Sequence, residues 1–183
     1  MEFAARRFAE GGYHPTSVAE IVEGIGVGKG VFYWYFSSKE ELFAEILRQS
    51  QVDLRHSQRD AMAVEADPVR RIELGIRSSI TWLDANRHLA NLVQFAASER
   101  RFTPVLRQGQ EVATNDLMQH VKEGIGQGRI RDADPEILTH AVLGVVNQLV
   151  RVFLAADRAD AREIADAAVA FCLDGLLAPP LPD

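Results

Sequence analysis

Cysteine is nearly missing from this chain: Cys172 is the single one in 183 residues. One thiol cannot close an internal disulfide, which suits a reducing cytoplasm. No apolar run stands out as approaching membrane-spanning length, and the opening MEFAARRFAE lacks a signal-peptide pattern. A cytoplasmic protein without a membrane partner is expected. A basic excess is missing too. Lys and Arg number 20 against 26 Asp and Glu, giving a net charge of −6 and a pI of about 5.4. That excludes a non-specific nucleic-acid coat, which is basic. It does not exclude site-specific DNA binding, where a few local cations and helix N-termini suffice.

Catalytic signatures are equally scarce. There is no G-x-S-x-G, no P-loop, no G-x-G-x-x-G after a strand, no H-E-x-x-H, and no Glu-x-x-His pair for a di-iron bundle. His88, His120 and His140 are scattered, and each reads better as a surface or satisfied core histidine than as a ligand. Cys172, between Phe171 and Leu173, reads as a small interior residue. These absences predict no enzyme, no metal and no cofactor.

What is present is a 47% hydrophobic fraction, enough for a sizeable core and a buried interface. The most informative stretch is Thr16–Leu42, TSVAEIVEGIGVGKGVFYWYFSSKEEL. Ser17 and Glu20 have the spacing of a capping box, and Val18, Ile21, Val22 and Ile25 repeat at helical intervals. Gly24 and Gly26 punctuate a turn. A second short helix is expected over about Gly28 to Phe36, then a longer one opened by Ser38 and Glu41. Two helices joined by a few Gly-bearing residues form the helix-turn-helix pattern. In the second helix Phe32 and Phe36 (i, i+4) should share a buried face. Gly30, Val31 and Trp34 then point outward, flanked by Tyr33 and Tyr35. Exposed apolar area of this kind calls for a docking partner.

These residues resemble the TetR family of bacterial transcriptional regulators. The likeness runs through Thr16-Ser17-Val18, Glu20-Ile21, Gly26-Val27-Gly28-Lys29-Gly30, Val31-Phe32-Tyr33-Trp34-Tyr35-Phe36 and Lys39-Glu40-Glu41-Leu42-Phe43. Phe8-Ala9-Glu10-Gly11-Gly12-Tyr13 is similar to the end of that family's first helix. Gly28 stands where the family usually has Ser, Val31 where a small residue is common, and Tyr35 where His is frequent. The resemblance implies a DNA-reading second helix. Gly30, Val31, Tyr33 and Trp34 would meet base edges, while Thr16, Ser17, Lys29, Tyr35 and Lys39 would fix register on phosphates.

The remainder reads as helices throughout, so the fold class is all-α: an N-terminal three-helix helix-turn-helix domain, residues 1–46, then a larger helical effector-binding and dimerisation domain, residues 47–183. Pro135–Ala156 is apolar on more than one side and Ala161–Leu177 is Ala-rich. Both are expected to build a homodimer seam through Leu143, Val146, Val150, Ala165, Ala168 and Cys172. Candidate effector-pocket residues are Trp82, Leu92, Phe95, Phe102, Leu117, Met118, Val121 and Phe153, any of which would serve equally as plain core. Asn147 and Gln148 either cross the seam or point at a ligand. The tail Ala178–Asp183 is expected to fray. The function expected is a dimeric, ligand-responsive repressor of a pseudo-palindromic DNA operator, with an effector of unknown identity. The competing reading is a helical-bundle enzyme or carrier for an apolar metabolite.

Overall fold

A computed structural model describes residues 1–154 and 158–177. The expected tail and the expected end of the apolar helix at Ala156 lie outside the described residues. Among those described the chain is all-α, with no strand.

The helices are α1 (Glu2–Gly11), α2 (Val18–Gly24), α3 (Lys29–Tyr35), α4 (Lys39–Met62), α5 (Pro68–Ala85), α6 (Arg87–Ser98), α7 (Thr103–Gly126), α8 (Pro135–Leu149) and α9 (Ala161–Leu176). A 3-10 turn at Arg100–Phe102 precedes α7, and a π-helical segment Val150–Leu154 extends α8. The start signals act as their chemistry requires. Ser17 N–H donates to Glu20 Oε2 (2.8 Å) and Glu20 N–H donates to Ser17 Oγ (3.2 Å), a reciprocal capping box. Before α4 the cap is split between two serines. Glu41 N–H donates to Ser38 Oγ, but the Glu41 carboxylate accepts from Ser37 N–H and Ser37 Oγ, both at 2.6 Å. Asp134 and Asp160 cap α8 and α9. The α2–α3 turn depends on Gly26, at φ +72°. Gly24 serves differently: a Cβ there would lie 1.9 Å from the Phe3 ring.

Two compact units emerge. The first comprises Met1–Asp53 with Asn86–Gly109, the second Leu54–Ala85 with Gln110 onward. The first unit's core holds Phe8, Tyr13, Ile21, Phe32, Phe43 and Leu47, closed by Leu92, Ala96 and Phe102. In it Phe43 meets Phe8 edge-on (centroids 5.3 Å) and Phe102 at 4.6 Å. The second unit's core holds Ile72, Ile80, Val121, Ile130, Leu154 and Ala168, with α5 packed along α9.

One sequence expectation needs correcting. Residues 135–154 are long and apolar enough to cross a membrane by length and composition, with a mean hydropathy of 1.6. In this fold α8 is a core helix on one face, where Thr139, Val142 and Val146 are buried. Its opposite face is open, with Ile137 68% exposed.

Candidate nucleic-acid interface and effector cavity

α3 is short, and its one fully buried side chain, Phe32, anchors it; Phe36 packs half-buried against the same core. Everything else on the helix faces out. Trp34 is 78% exposed, Tyr35 64%, Tyr33 57% and Val31 48%. Trp34 and Tyr35 meet edge-on at 4.6 Å. Gly30 has open space where a Cβ would stand, so its backbone can be approached closely. Val31 N–H already donates to Gly28 O (3.0 Å), which leaves the amides of Lys29 and Gly30 at the open end. Lys29 is exposed. Ser17 is exposed as well, and its hydroxyl accepts the α2 cap while keeping its own proton to donate.

Two residues expected on phosphate are committed elsewhere. Thr16 is buried, and its hydroxyl donates to Gly12 O (2.8 Å). Lys39 Nζ donates to the carbonyls of Tyr13 (2.8 Å), His14 (3.2 Å) and Thr16 (2.9 Å) and sits 4.5 Å over the Tyr13 ring. Both hold the α1–α2 loop. Thr16 has no free surface, and Lys39 has no spare bonding capacity to offer a phosphate.

The second unit contains a cavity of about 330 Å³ lined by one face of each of four helices. α4 contributes Arg55, Gln58, Arg59 and Met62, and α5 contributes Arg71, Ile72, Gly75, Ile76 and Ser79. α7 adds Ala113, Asp116, Leu117, Gln119 and His120, and α8 adds Val142, Leu143 and Val146. Arg55 grips Asp116 with two bonds, Nε to Oδ2 at 2.5 Å and Nη2 to Oδ1 at 2.6 Å. Arg71 Nε donates to Glu65 O (2.6 Å), and its Nη1 lies 3.3 Å from Glu123. Gln58 Nε2 donates to Ser79 Oγ (2.7 Å), which in turn donates to Gly75 O. Burial and then the neighbouring Arg71 charge hold the His120 imidazole below its ordinary pKa, favouring the neutral form.

Of the expected pocket residues, only Leu117 lines this cavity. Leu92, Phe95 and Phe102 belong to the first unit's aromatic core. Val121 is buried in the second unit's core, and Trp82, Met118 and Phe153 are half-buried away from the cavity. Asn147 and Gln148 are exposed, and Gln148 Oε1 accepts from Arg151 (2.8 Å). The expected seam residues are corrected as well. Ala165, Ala168 and Cys172 are buried in the unit's own core, Val150 packs against it, and Leu143 and Val146 turn into the cavity. The faces left open carry Ile137, Ala141 and Gly144 on α8, and Ala167, Ala170 and Phe171 on α9. The cavity's arginines were missed because each, taken alone, resembles a solvated helix charge. The available signal was the i, i+3, i+4, i+7 spacing of Arg55, Gln58, Arg59 and Met62.

Comparison with known proteins agrees with this geometry. Residues 1–46 match the model of bacterial regulatory proteins of the tetR family, and residues 65–176 match the tetracyclin repressor-like C-terminal domain. The HTH-type transcriptional repressor KstR2 of Mycobacterium tuberculosis is 32% identical over 133 residues, 68% of this chain and 66% of that protein. KstR2 of Rhodococcus jostii is 28% identical over 185 residues, 98% of this chain and 90% of that protein. Among solved structures, PfmR of Thermus thermophilus, a TetR family transcriptional regulator, superposes with a TM-score of 0.77 at 26% identity, covering 94% of this chain and 96% of that one. A short helix with an outward aromatic face on an aromatic core, a helical second unit with its own cavity, and matches to both family models lead to one assignment: this chain belongs to the TetR family of bacterial transcriptional regulators.

Proposed function

We propose that the protein is a ligand-responsive repressor, acting in the cytoplasm, that binds a pseudo-palindromic operator as a homodimer. The observation that carries this reading is the outward face of α3, where Val31, Tyr33, Trp34 and Tyr35 stand in solvent on a helix whose one buried side chain is Phe32. Gly30, Val31, Tyr33 and Trp34 meet base edges and thymine methyls in the major groove. Ser17, Lys29 and Tyr35 set register on phosphates. All these residues lie within 1–46, while the cavity and the open faces of α8 and α9 lie within 47–183. Two copies joined through Ile137, Ala141, Gly144, Ala167, Ala170 and Phe171 present two reading helices to two half-sites.

The effector acts through α4. Its first half carries Leu42, Phe43, Ile46 and Leu47 in one core, and its second half carries Arg55, Gln58, Arg59 and Met62 on the cavity. A ligand that binds the non-reading arrangement better lowers operator affinity by its preference between the two arrangements, and by no more. Tyr33→Ala, assayed by fluorescence anisotropy against an operator selected from random duplex, should lose sequence-specific binding with an unchanged melting temperature. A variant that melts early would make Tyr33 a core residue. One that binds normally would remove α3 from the groove. The competing reading, a carrier or enzyme for an apolar metabolite, also uses the cavity, but it predicts ligand turnover or transport without salt-sensitive DNA binding.

A further inference from the structure

We infer that the cavity of the second unit takes an amphipathic organic anion, an apolar body ending in a carboxylate, with the Arg59 guanidinium as its head-group partner. The inference rests on reading this cavity as the effector site and specifies the ligand class that fits it.

The floor is apolar: Ile72, Ile76, Leu117 and Val142 give a ligand body only hydrocarbon to touch. Part of the polar wall is satisfied internally, since Gln58 Nε2 donates to Ser79 Oγ and Ser79 Oγ to the Gly75 carbonyl, while Gln58 Oε1, Gln119 and His120 remain as neutral polar groups of the lining. The net charge of the lining is what singles out a head group. In a chain of net charge −6, three guanidinium groups and a single carboxylate line one cavity. Arg55 spends its charge on Asp116 through two bonds, and Arg71 is held by the Glu65 carbonyl with Glu123 in reach. Arg59 is exposed at the mouth, and its side chain makes no hydrogen bond or ion pair among the described residues. Its planar fork of donors matches a carboxylate, and it repels a cationic head. The volume of about 330 Å³ sits at the low end of ligand cavities, enough for one short chain or a small ring system.

Decanoate, decanol and decylamine share one tail and differ in the head. Titrated calorimetrically into the intact chain without DNA, decanoate should bind at least about tenfold tighter than decanol, and decylamine weaker than either. Arg59→Gln, at an exposed and unpaired position, should keep the wild-type melting temperature and decanol affinity while losing the preference for decanoate. Ala113→Trp, on the exposed cavity wall, should weaken decanoate and decanol together. Equal wild-type affinity for decanoate and decanol overturns the inference, as does no decanoate binding. Arg59→Gln binding decanoate like wild type, or Ala113→Trp leaving it unchanged, overturns it as well. Failure of the regulator reading is separate: a chain that shows this head-group preference but binds no operator refutes the repressor and leaves the ligand assignment standing. A chain that binds operator without the preference does the reverse.

Discussion

At Lys39 a cation that looks like a phosphate contact is an internal tie. Its ammonium donates to three carbonyls of the α1–α2 loop and covers the Tyr13 ring. Charge-assisted bonds to backbone are individually worth about 1.5–3 kcal/mol, partly screened here because the side chain is half-exposed. Lys39→Ala is therefore expected to lower unfolding free energy by about 2 kcal/mol in urea titration, with no change in the salt slope of DNA binding. A slope shallower by about one unit would return Lys39 to the phosphate. Glu20 and Glu41 make a second pair of residue-level commitments. Hydrogen bonds from Ser17 hold the Glu20 carboxyl below its usual range, and those from Ser37 do the same for Glu41. The folded values are depressed, so their contribution is present above the unfolded carboxylate pKa and is lost as pH falls through the lower folded values. Glu20→Gln with Glu41→Gln should thus lower the urea midpoint near neutral pH. It should also flatten the decline toward about pH 3. An acid limb as steep as wild type would assign the acid sensitivity to other carboxylates.

α3 is too short to be stable alone, and nucleating an isolated helix is costly. It is held by the Phe32 contact and the Gly26 turn, so its outward residues are free of packing duty. That separation allows a clean measurement. Lys29→Ala should leave the melting temperature unchanged, weaken specific and random duplex alike, and reduce the salt slope by about one unit. A variant with a wild-type slope would exclude Lys29 from the phosphate contacts. α8 shows a different division of labour. Val142 and Val146 face inward while Ile137, His140, Ala141 and Gly144 remain in solvent, so an apolar composition is spread over one packed face and one open face.

For the molecule as a whole, an exposed Phe171 on α9 beside Ala167 and Ala170 is the surface a second copy would cover. Phe171→Glu costs the isolated chain little, since the side chain is 69% exposed. At a closed seam it leaves an unpaired carboxylate out of water, typically several kcal/mol. Sedimentation at micromolar concentration should find a wild-type dimer and a folded Phe171→Glu monomer that has lost full-operator affinity. Val146→Glu should instead leave the dimer in place and act on the cavity, because Val146 lines it. A Phe171→Glu protein that stays dimeric would move the seam off this face.

Helices, caps and the helix-turn-helix were legible in the chain because their causes are local. A capping box links Ser17 to Glu20, and the outward face of α3 alternates with Phe32 and Phe36 within two turns. The fold class and the outward aromatics of α3 followed from such short-range patterns. The cavity did not, because its lining runs from Arg55 to Val146 on four helices, and no periodicity connects residues that meet only after packing. Nor did the pattern distinguish core from seam. Ala168 is buried while Ala167 is exposed, one step of about 100° around the same helix. Both are small and apolar, and which one faces the unit's own core depends on how α9 is rotated against α5. That rotation is set by the sum of long-range contacts, among them Arg77 on α5 reaching Asp166 on α9 at 2.5 Å.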